Sequence, residues 1–128
     1  MNNKKKIMIV DDEVDFLSII KLNLEGTDKY IVKILAKSID IVSEANNFKP
    51  DLIVMDLLMP GLDGIEACKL LKSDRLACKI PIIVLSALEK KEDKRMAYAS
   101  GAIDYLVKPI EASKLIERID IFIKEKRA

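Results

Sequence analysis

The chain has 128 residues, of which 50% are hydrophobic and 34% are charged, and it carries a net charge of +1 with no histidine. That length is typical of a single domain, which on folding buries roughly two thirds of the surface exposed by its unfolded chain. The near-neutral charge gives no electrostatic reason to expect nucleic-acid binding, and the apolar runs are too short to cross a bilayer, so we expect no membrane contact and a cytoplasmic location.

Strand and helix patterns alternate from one end of the chain to the other. Short apolar runs predict buried strands at Ile7 to Val10, Tyr30 to Leu35, Leu52 to Met55, Ile82 to Leu85 and Tyr105 to Val107. Helical spacing predicts helices at Val14 to Leu24, from a Ser38 cap through Asn46, around Ile65 to Leu71, at Glu89 to Ala99 and at Ser113 to Lys126. The sum is an α/β fold, (βα)5, and right-handed crossovers predict a doubly wound parallel five-stranded sheet of flavodoxin-like order 2-1-3-4-5.

Polar residues follow four of the predicted strands. Asp11 and Asp12 come directly after the first strand, and Asp56 comes after the third. Ser86 follows the fourth strand and Lys108 follows the fifth. Because ligands of an open α/β sheet bind at the carboxyl ends of its strands, we expect these side chains to form one phosphate and metal site.

The acidic cluster is larger than helix capping requires. One carboxylate at a helix N-terminus is favourable by about 0.3 to 1 kcal/mol, but three acids follow one another at Asp11, Asp12 and Glu13. If Asp11, Asp12 and Asp56 meet within about 4 Å, each pair repels by about 4 kcal/mol at an intermediate dielectric, and a cation must offset this. Hard oxygen ligands favour Mg²⁺, with Mn²⁺ as the alternative ion.

Asp56 is the best candidate for a nucleophile. It ends a strongly apolar strand and precedes an irregular loop that contains Pro60, Gly61 and Gly64. A carboxylate in such a place can attack a phosphoryl group and form an acyl phosphate. A capping or solvated aspartate is the alternative interpretation.

Ser86 and Lys108 are weak signals when each is taken alone. The Ser86 hydroxyl could donate to a phosphoryl oxygen, and the Lys108 ammonium could pair with carboxylates or neutralise phosphoryl charge. A serine at a strand end and a solvated lysine are nevertheless both common. The bond between Lys108 and Pro109 is open to either isomer.

Four separated motifs occur in a fixed order along the chain. They are D-D-E at 11–13, M-D-L-L-M-P-G-L-D-G at 55–64, S-A at 86–87 and G-A-I-D-Y-L-V-K-P at 101–109. With these motifs the chain resembles the receiver domain of bacterial two-component response regulators over essentially its full length. The resemblance implies one receiver domain over residues 1–128 with no output domain within the chain.

The resemblance also implies roles for the site residues. Asp56 would accept a phosphoryl group from a phosphohistidine on a partner histidine kinase or phosphotransfer protein, in a Mg²⁺-dependent reaction that the receiver itself promotes. Asp12, Asp56 and the backbone carbonyl of Leu58 would ligate the ion, with Asp11 acting through water. Such a protein is a phospho-acceptor regulator rather than an enzyme with an external substrate.

In the same family a switch links the site to the surface. Lys108 and Ser86 would hold the phosphoryl oxygens. Ser86 would move towards the phosphoryl group while Tyr105 turns inward into the vacated space, which reshapes the surface of the fourth helix, the fifth strand and the last helix. A half-buried strand tyrosine with no switching role is the alternative for Tyr105.

Two leucines depart from the common receiver pattern. Leu58 and Leu88 stand two positions beyond Asp56 and Ser86, where the family often has polar residues that flank the approach of a hydrolytic water. Neither leucine can orient water. We therefore hypothesise slow loss of phosphate from Asp56.

The output surface is less clearly indicated. In the family branch that dimerises through its last helical face, Asp104 and Arg118 would suit a phosphorylation-linked homodimer. Lys94 and Lys114, however, place like charges where that branch pairs opposite ones, and a surface ion pair is worth only about 0 to 1 kcal/mol. The last helix has more apolar residues than one inward stripe needs, so we expect some of them to face a downstream protein or an output domain. These residues are Leu115, Ile116, Ile119, Ile121, Phe122 and Ile123.

Other functional classes remain open beside the phosphorylation-switched regulator. A degenerate receiver would keep the fold as a phosphorylation-independent interaction module. A phosphatase of the haloacid dehalogenase type resembles D-x-D at its nucleophile, whereas Asp56 is followed by Leu57 and Leu58. No G-x-G-x-x-G follows the first strand, which argues against a dinucleotide site. Cys68 and Cys78 have neither C-x-x-C spacing nor a histidine nearby, so a metal-thiolate site is not expected.

Overall fold

The structure is a computed structural model that describes residues 3–59 and 61–127. Strands and helices alternate along it as the sequence predicts. In chain order they are β1 Lys5–Val10, α1 Val14–Glu25, β2 Tyr30–Leu35, α2 Ile41–Phe48, β3 Leu52–Met55, α3 Gly64–Ser73, a short 3-10 helix Ala77–Lys79, β4 Ile82–Ser86, α4 Lys91–Ala99, β5 Asp104–Val107 and α5 Ala112–Arg127.

The five strands lie parallel in one sheet with the order β2-β1-β3-β4-β5. The predicted fold class and strand order are therefore confirmed. The register pairs Val10 with both Leu35 and Met55, and pairs Ser86 with Val107. The strands consequently end close to level with one another, and the residues that follow them meet along a single edge.

Helices cover both faces of the sheet and divide the core into two parts. On β1, Met8 and Val10 pack towards α2, α3 and α4, while Ile7 and Ile9 pack towards α1 and α5. This division follows from the alternation of side chains along a strand. All four residues of β3 are buried, because a central parallel strand has helices on both of its faces.

The start of α2 contradicts the sequence-based prediction. The Ser38 hydroxyl does not cap this helix but donates a hydrogen bond to the carbonyl of Leu62, and α2 begins at Ile41 after Asp40 with no side-chain cap. Ser38 is fully buried, so its hydroxyl needs a partner, and the neighbouring loop supplies one. The helix also extends past Asn46 to Phe48.

The apolar excess of the last helix is largely used by the core. Leu115, Ile119 and Ile123 are buried, and Ile116 and Phe122 pack partly buried against the same part of the core. Of the six apolar residues considered above, Ile121 is the exposed one, at 43%. The apolar face that α5 packs against the sheet is therefore broader than predicted, and Ile121 is the residue of this set that faces solvent.

Four further features considered in the sequence are a loop proline, the Lys108–Pro109 bond, membrane-spanning helices and the cysteines. Pro60, in the loop after Asp56, lies outside the described residues. The peptide bond between Lys108 and Pro109 is cis. Within the described ranges, none of the helices has both the length and the apolar character needed to span a bilayer. Cys68 and Cys78 are free thiols.

Candidate functional site

Backbone hydrogen bonds continue beyond the strand ends and fix the first residues of the site. The Asp11 amide donates to the Leu35 carbonyl at 3.0 Å, and the Asp56 amide donates to the Val10 carbonyl at 3.0 Å. On the other side, the Lys108 amide donates to the Ser86 carbonyl at 2.9 Å. The predicted meeting of sequence-distant residues at the carboxyl edge is therefore present in the structure.

Three carboxylates gather at this edge. Each of Asp11, Asp12 and Asp56 offers one oxygen, and these oxygens lie within 4.8 Å of one another. Asp11 and Asp56 are buried, whereas Asp12 is exposed. Such a set of hard oxygen donors, open to solvent on one side, fits Mg²⁺ because this ion typically binds through one or two carboxylates and retains several waters.

The loop after β3 shapes the surroundings of Asp56. The Leu58 amide donates to Asp56 Oδ1 at 3.2 Å, which holds the carboxylate against the turn. The Leu58 side chain points away from the core and is 53% exposed. Gly64 lets α3 begin directly against this turn, since a Cβ at Gly64 would lie 2.4 Å from the Asp56 carbonyl oxygen.

Lys108 is the cation of the site. Its Nζ lies 2.6 Å from Asp11 Oδ2, 2.6 Å from Glu13 Oε1 and 3.3 Å from Asp56 Oδ2. The same Nζ lies 4.8 Å from the centroid of the Phe16 ring. Burial disfavours the charge on Lys108, but the hydrogen bonds with Asp11 and Glu13 and the charge of Asp56 outweigh it, so its pKa lies above the usual value.

Asp11 balances opposing influences. Burial raises its pKa, and the neighbouring charge of Asp56 acts in the same direction. The Lys108 ammonium and the Glu13 amide, which donates to Asp11 Oδ1 at 3.0 Å, lower the pKa without cancelling the rise. Independently of this pKa, Asp11, Asp12 and Asp56 bring three carboxylates to a site with one ammonium, a charge balance that favours binding of a cation.

Ser86 and Tyr105 meet at the backbone of Leu88. The Leu88 amide donates to the Ser86 hydroxyl at 3.3 Å, and the Tyr105 hydroxyl donates to the Leu88 carbonyl at 2.6 Å. Ser86 is fully buried and Tyr105 is 8% exposed. Burial raises the pKa of Tyr105, and the charges of Asp93 and Asp56 add to the rise. Tyr105 therefore points inward in this structure.

The sequence did not assign roles to three side chains that contact the site. Glu13 was counted only as one acid of the D-D-E triplet, yet it forms an ion pair with Lys108. Phe16, within the predicted first helix, places its ring beside the Lys108 ammonium. Lys94, predicted only as a charge of the output surface, lies with its Nζ 6.0 Å from the centroid of the Tyr105 ring. The position of Glu13 and Phe16 at the start of α1, directly after Asp11 and Asp12, was the available signal.

The residues predicted for the output surface pair within the chain. Arg118 Nη1 forms an ion pair with Asp104 Oδ2. Asp104 Oδ1 also accepts a hydrogen bond from the Tyr105 amide at 2.9 Å. Lys114 is exposed. This surface is therefore linked to β5 and to Tyr105 by direct contacts.

Comparison with known proteins identifies the family. A sequence profile described as Response regulator receiver domain matches residues 7–120. The chain belongs to the response regulator receiver domain family. This membership places the receiver domain in two-component signal transduction, and it disfavours the phosphatase and dinucleotide-binding alternatives.

Relatives of this receiver domain include a curated protein and two solved structures. The chain is 36% identical over 120 residues to the alkaline phosphatase synthesis transcriptional regulatory protein PhoP of Bacillus subtilis, covering 94% of this chain and 49% of that protein. The chain thus spans about half the length of the curated relatives it matches.

The solved structures agree in fold. The receiver domain of a Francisella response regulator is 32% identical, with a TM-score of 0.87, over 96% of this chain and 99% of that one. The receiver domain of a sensor histidine kinase from Pseudomonas aeruginosa is 30% identical, with a TM-score of 0.77, over 91% of this chain and 93% of that one. That second structure has a magnesium ion coordinated in its active site cleft.

Proposed function

We propose that Asp56 accepts a phosphoryl group from a phosphohistidine of a partner histidine kinase or phosphotransfer protein, and that the phosphorylated domain presents a changed surface to a downstream partner. The observation that carries the proposal is the position of Asp56. Its carboxylate belongs to the acidic cluster and also lies 3.3 Å from the Lys108 ammonium. A metal and a protein cation can therefore act on the same phosphoryl group.

The transfer is a nucleophilic substitution at phosphorus. An Asp56 carboxylate oxygen forms the new O–P bond as the P–N bond of the phosphohistidine breaks, and the donor imidazole leaves with the electron pair. These 128 residues contain no histidine, so the phosphohistidine donor lies outside them. In this proposal Lys108 stabilises the charge on the phosphoryl oxygens, and Ser86 donates its hydroxyl to one of them.

The acidic residues of this chain are suited to hold Mg²⁺, with Mn²⁺ as the alternative. Asp11, Asp12, Asp56 and the Leu58 carbonyl are the proposed ligands, with Asp11 acting through water. When bound, the ion supplies positive charge that offsets carboxylate repulsion and neutralises the phosphoryl oxygens. The magnesium ion in the Pseudomonas aeruginosa relative supports this assignment.

The proposed switch uses the contact that Ser86 and Tyr105 share. Movement of the Ser86 hydroxyl towards a phosphoryl group on Asp56 would change its hydrogen bond with the Leu88 amide. The Leu88 carbonyl accepts a hydrogen bond from the Tyr105 hydroxyl, so a shift of the Leu88 backbone would alter the position of Tyr105. Tyr105 lies beside Lys94 of α4, and its neighbour Asp104 pairs with Arg118 of α5. The change can therefore reach α4, β5 and α5, the surface we assign to a downstream protein, an output domain or a phosphorylation-linked homodimer.

The proposal also covers where the domain acts and how long the aspartyl phosphate lasts. The domain itself acts in the cytoplasm through protein contacts, without binding nucleic acid or membrane. Leu58 and Leu88 give no polar group that could orient a water molecule on Asp56, so the aspartyl phosphate is lost slowly. The domain therefore promotes its own phosphorylation better than its own dephosphorylation.

The test is phosphorylation by a small acyl phosphate in the presence of Mg²⁺, followed by intact mass measurement. We expect the wild-type protein to gain one phosphoryl group, Asp56→Asn to gain none, and omission of the metal to prevent the gain. Asp40→Asn, which removes an exposed acid from the loop before α2, serves as the matched control and should gain the group as wild type does.

Two results would contradict the proposal. A folded wild-type protein that takes up no phosphate with Mg²⁺ present would indicate a degenerate interaction module. Uptake that persists in Asp56→Asn would place the acceptor on another residue.

A further inference from the structure

We infer that Glu13 holds the Lys108 ammonium in a resting position, and that Glu13 competes with a phosphoryl group on Asp56 for the hydrogen-bond donors of Lys108. Glu13 is then a positioning residue that limits how readily the site accepts and retains a phosphoryl group. This inference rests on the proposed role of Asp56 as the acceptor. It assigns a role to the third acid of the D-D-E triplet, which the metal cluster does not use.

The distances show where the ammonium is held. Lys108 Nζ lies 2.6 Å from both Asp11 Oδ2 and Glu13 Oε1, but 3.3 Å from Asp56 Oδ2. The ammonium is thus closer to the two acids of the β1 edge than to the acceptor. The side chain of Lys108 is only 12% exposed, so it has few alternative positions in solvent.

Lys108 has a limited number of N–H donors, so the groups around it compete for them. A lysine ammonium has three N–H donors and accepts no hydrogen bonds. In this structure three carboxylates already take these donors, on Asp11, Glu13 and Asp56. The donor that points at Asp56 can pass to a phosphoryl oxygen there, but a second donor of Lys108 becomes available to the phosphoryl group only if Asp11 or Glu13 gives way.

Glu13 is the partner that gives way most easily. Asp11 is buried, and the Glu13 amide fixes its other oxygen. Asp56 carries the phosphoryl group itself, and the Phe16 ring occupies another side of the ammonium. The Glu13 side chain is 62% exposed, so water can solvate its carboxylate as soon as it leaves Lys108.

The inference gives a definite direction of change. Loss of the contact between Glu13 and Lys108 removes one competitor for the ammonium. The phosphorylated state, in which Lys108 pairs with a phosphoryl oxygen, is then stabilised relative to the resting state. An ion pair with one exposed partner is worth up to about 1 kcal/mol, which corresponds to an effect of about two- to fivefold.

The experiment compares three variants with wild type. Glu13→Gln removes the charge, Glu13→Asp keeps the charge but shortens the side chain by one methylene, and Asp15→Asn removes an exposed acid two residues away on α1. The first readout is the dissociation constant of beryllofluoride, a stable stand-in for the aspartyl phosphate, measured by ¹⁹F NMR in Mg²⁺. The second is the rate of phosphorylation by a small acyl phosphate at saturating Mg²⁺.

We expect Glu13→Gln and Glu13→Asp to bind beryllofluoride about two- to fivefold more tightly than wild type and to accept phosphate faster by a similar factor. Asp15→Asn should match wild type in both readouts. High salt should reduce the difference in beryllofluoride affinity between Glu13→Gln and wild type, because screening weakens the exposed ion pair between Glu13 and Lys108.

The outcomes that overturn the inference are distinct from those that overturn the proposed function. Equal affinity and rate in Glu13→Gln and wild type would show that Glu13 does not compete for Lys108. An increase in Asp15→Asn, or a Glu13→Asp variant that equals wild type, would show a general charge effect instead. Asp56→Asn is tested separately. If phosphate uptake depends on Asp56 but does not change in the Glu13 variants, the inference about Glu13 is refuted and the proposed function stands.

Discussion

Charged side chains have different surroundings at the amino and carboxyl edges of the sheet. At the amino edge, polar groups are tied into the fold: the Lys6 amide donates to Asp51 Oδ2 at 2.8 Å, and Lys72 Nζ donates to the Ile80 carbonyl at 2.8 Å. At the carboxyl edge, Asp11, Asp12 and Asp56 crowd together while Lys108 supplies the cation that contacts Asp11 and Asp56. The amino edge therefore stabilises the fold, and the carboxyl edge keeps charge available for a ligand.

The contrast extends to the helices. At the amino edge, Asp120 on α5 accepts hydrogen bonds from the Tyr30 hydroxyl and from Lys29 Nζ, which link this helix to the start of β2. At the carboxyl edge, the corresponding ion pair between Lys108 and Glu13 leaves Glu13 largely exposed. The polar side chains of the amino edge thus have partly buried partners within the fold, whereas Glu13 at the carboxyl edge can exchange Lys108 for water.

The largest expected effect concerns the turn that supports Asp56. In Gly64→Ala, the new Cβ would lie 2.4 Å from the Asp56 carbonyl oxygen and 2.6 Å from the Leu57 Cα. These are backbone atoms, so relief requires α3 to move away from the turn. We expect the free energy of unfolding in urea to fall by about 3 kcal/mol.

Gly61→Ala is the matched control for this substitution. Apart from the chain neighbours of Gly61, no described residue has an atom within 4 Å of the new Cβ, and the positive φ of 86° opposes the substitution, so we expect a loss of about 1 kcal/mol. A Gly64→Ala protein no less stable than Gly61→Ala would show that the carboxyl edge does not depend on this close approach.

The difference between the edges also explains what the sequence could predict. Apolar runs define the strands, and strand order brings Asp11, Asp56 and Lys108 together, because any parallel sheet of this topology aligns its carboxyl ends. This much needs no side-chain detail. The family resemblance added the roles of individual residues.

Other features depend on side-chain packing and were not predictable from periodicity. Ser38 looks like a helix cap, but the loop that carries Leu62 folds over it and takes its hydroxyl. Glu13 reaches Lys108 across 95 positions of sequence, and a flexible side chain gives no periodic signal for such a contact. The inward position of Tyr105 depends on the Leu88 carbonyl, which local propensity does not encode.

A second prediction tests the amino edge. In Asp120→Asn, the ion pair with Lys29 is lost while the side chain keeps its shape. The Asp120 carboxylate is only 25% exposed, so we expect a loss of about 1 kcal/mol in the free energy of unfolding at pH 7. Phosphate uptake at the opposite edge should not change.

The pH dependence of that loss follows from the pKa of Asp120. Burial raises it, but hydrogen bonds from Lys29 and Tyr30 outweigh burial, so the pKa lies below the usual value. A carboxyl group with a lowered folded-state pKa contributes stability that is fully present above the unfolded pKa, about 4, and lost as the pH falls through the folded value. The difference between wild type and Asp120→Asn should therefore shrink below about pH 4.

Asp28→Asn is the control at the same edge. Its carboxylate is 91% exposed and lies 4.0 Å from Lys4, so the change in unfolding free energy should stay within about 0.5 kcal/mol. An Asp120→Asn protein that behaves like Asp28→Asn at pH 7 would show that the contacts of Asp120 do not hold α5 to the sheet.

The smallest effect is expected for a substitution that changes chemistry without changing stability. Leu58 is 53% exposed next to Asp56, so Leu58→Asn should leave the unfolding midpoint nearly unchanged. The new amide can hydrogen-bond a water molecule near the aspartyl phosphate. A hydrogen bond of about 0.5 to 1.5 kcal/mol corresponds to phosphate loss that is about two- to tenfold faster, measured as the decay of the phosphorylated mass.

Leu22→Asn provides the matched control, because Leu22 is a leucine that is 75% exposed near the end of α1, away from the carboxyl edge. It should leave the phosphate lifetime unchanged. A lifetime that is already short in wild type and insensitive to Leu58→Asn would mean that water reaches Asp56 without help from this position. The lifetime would then depend on how firmly Lys108 holds the phosphoryl oxygens, which the Glu13 variants alter at the same edge.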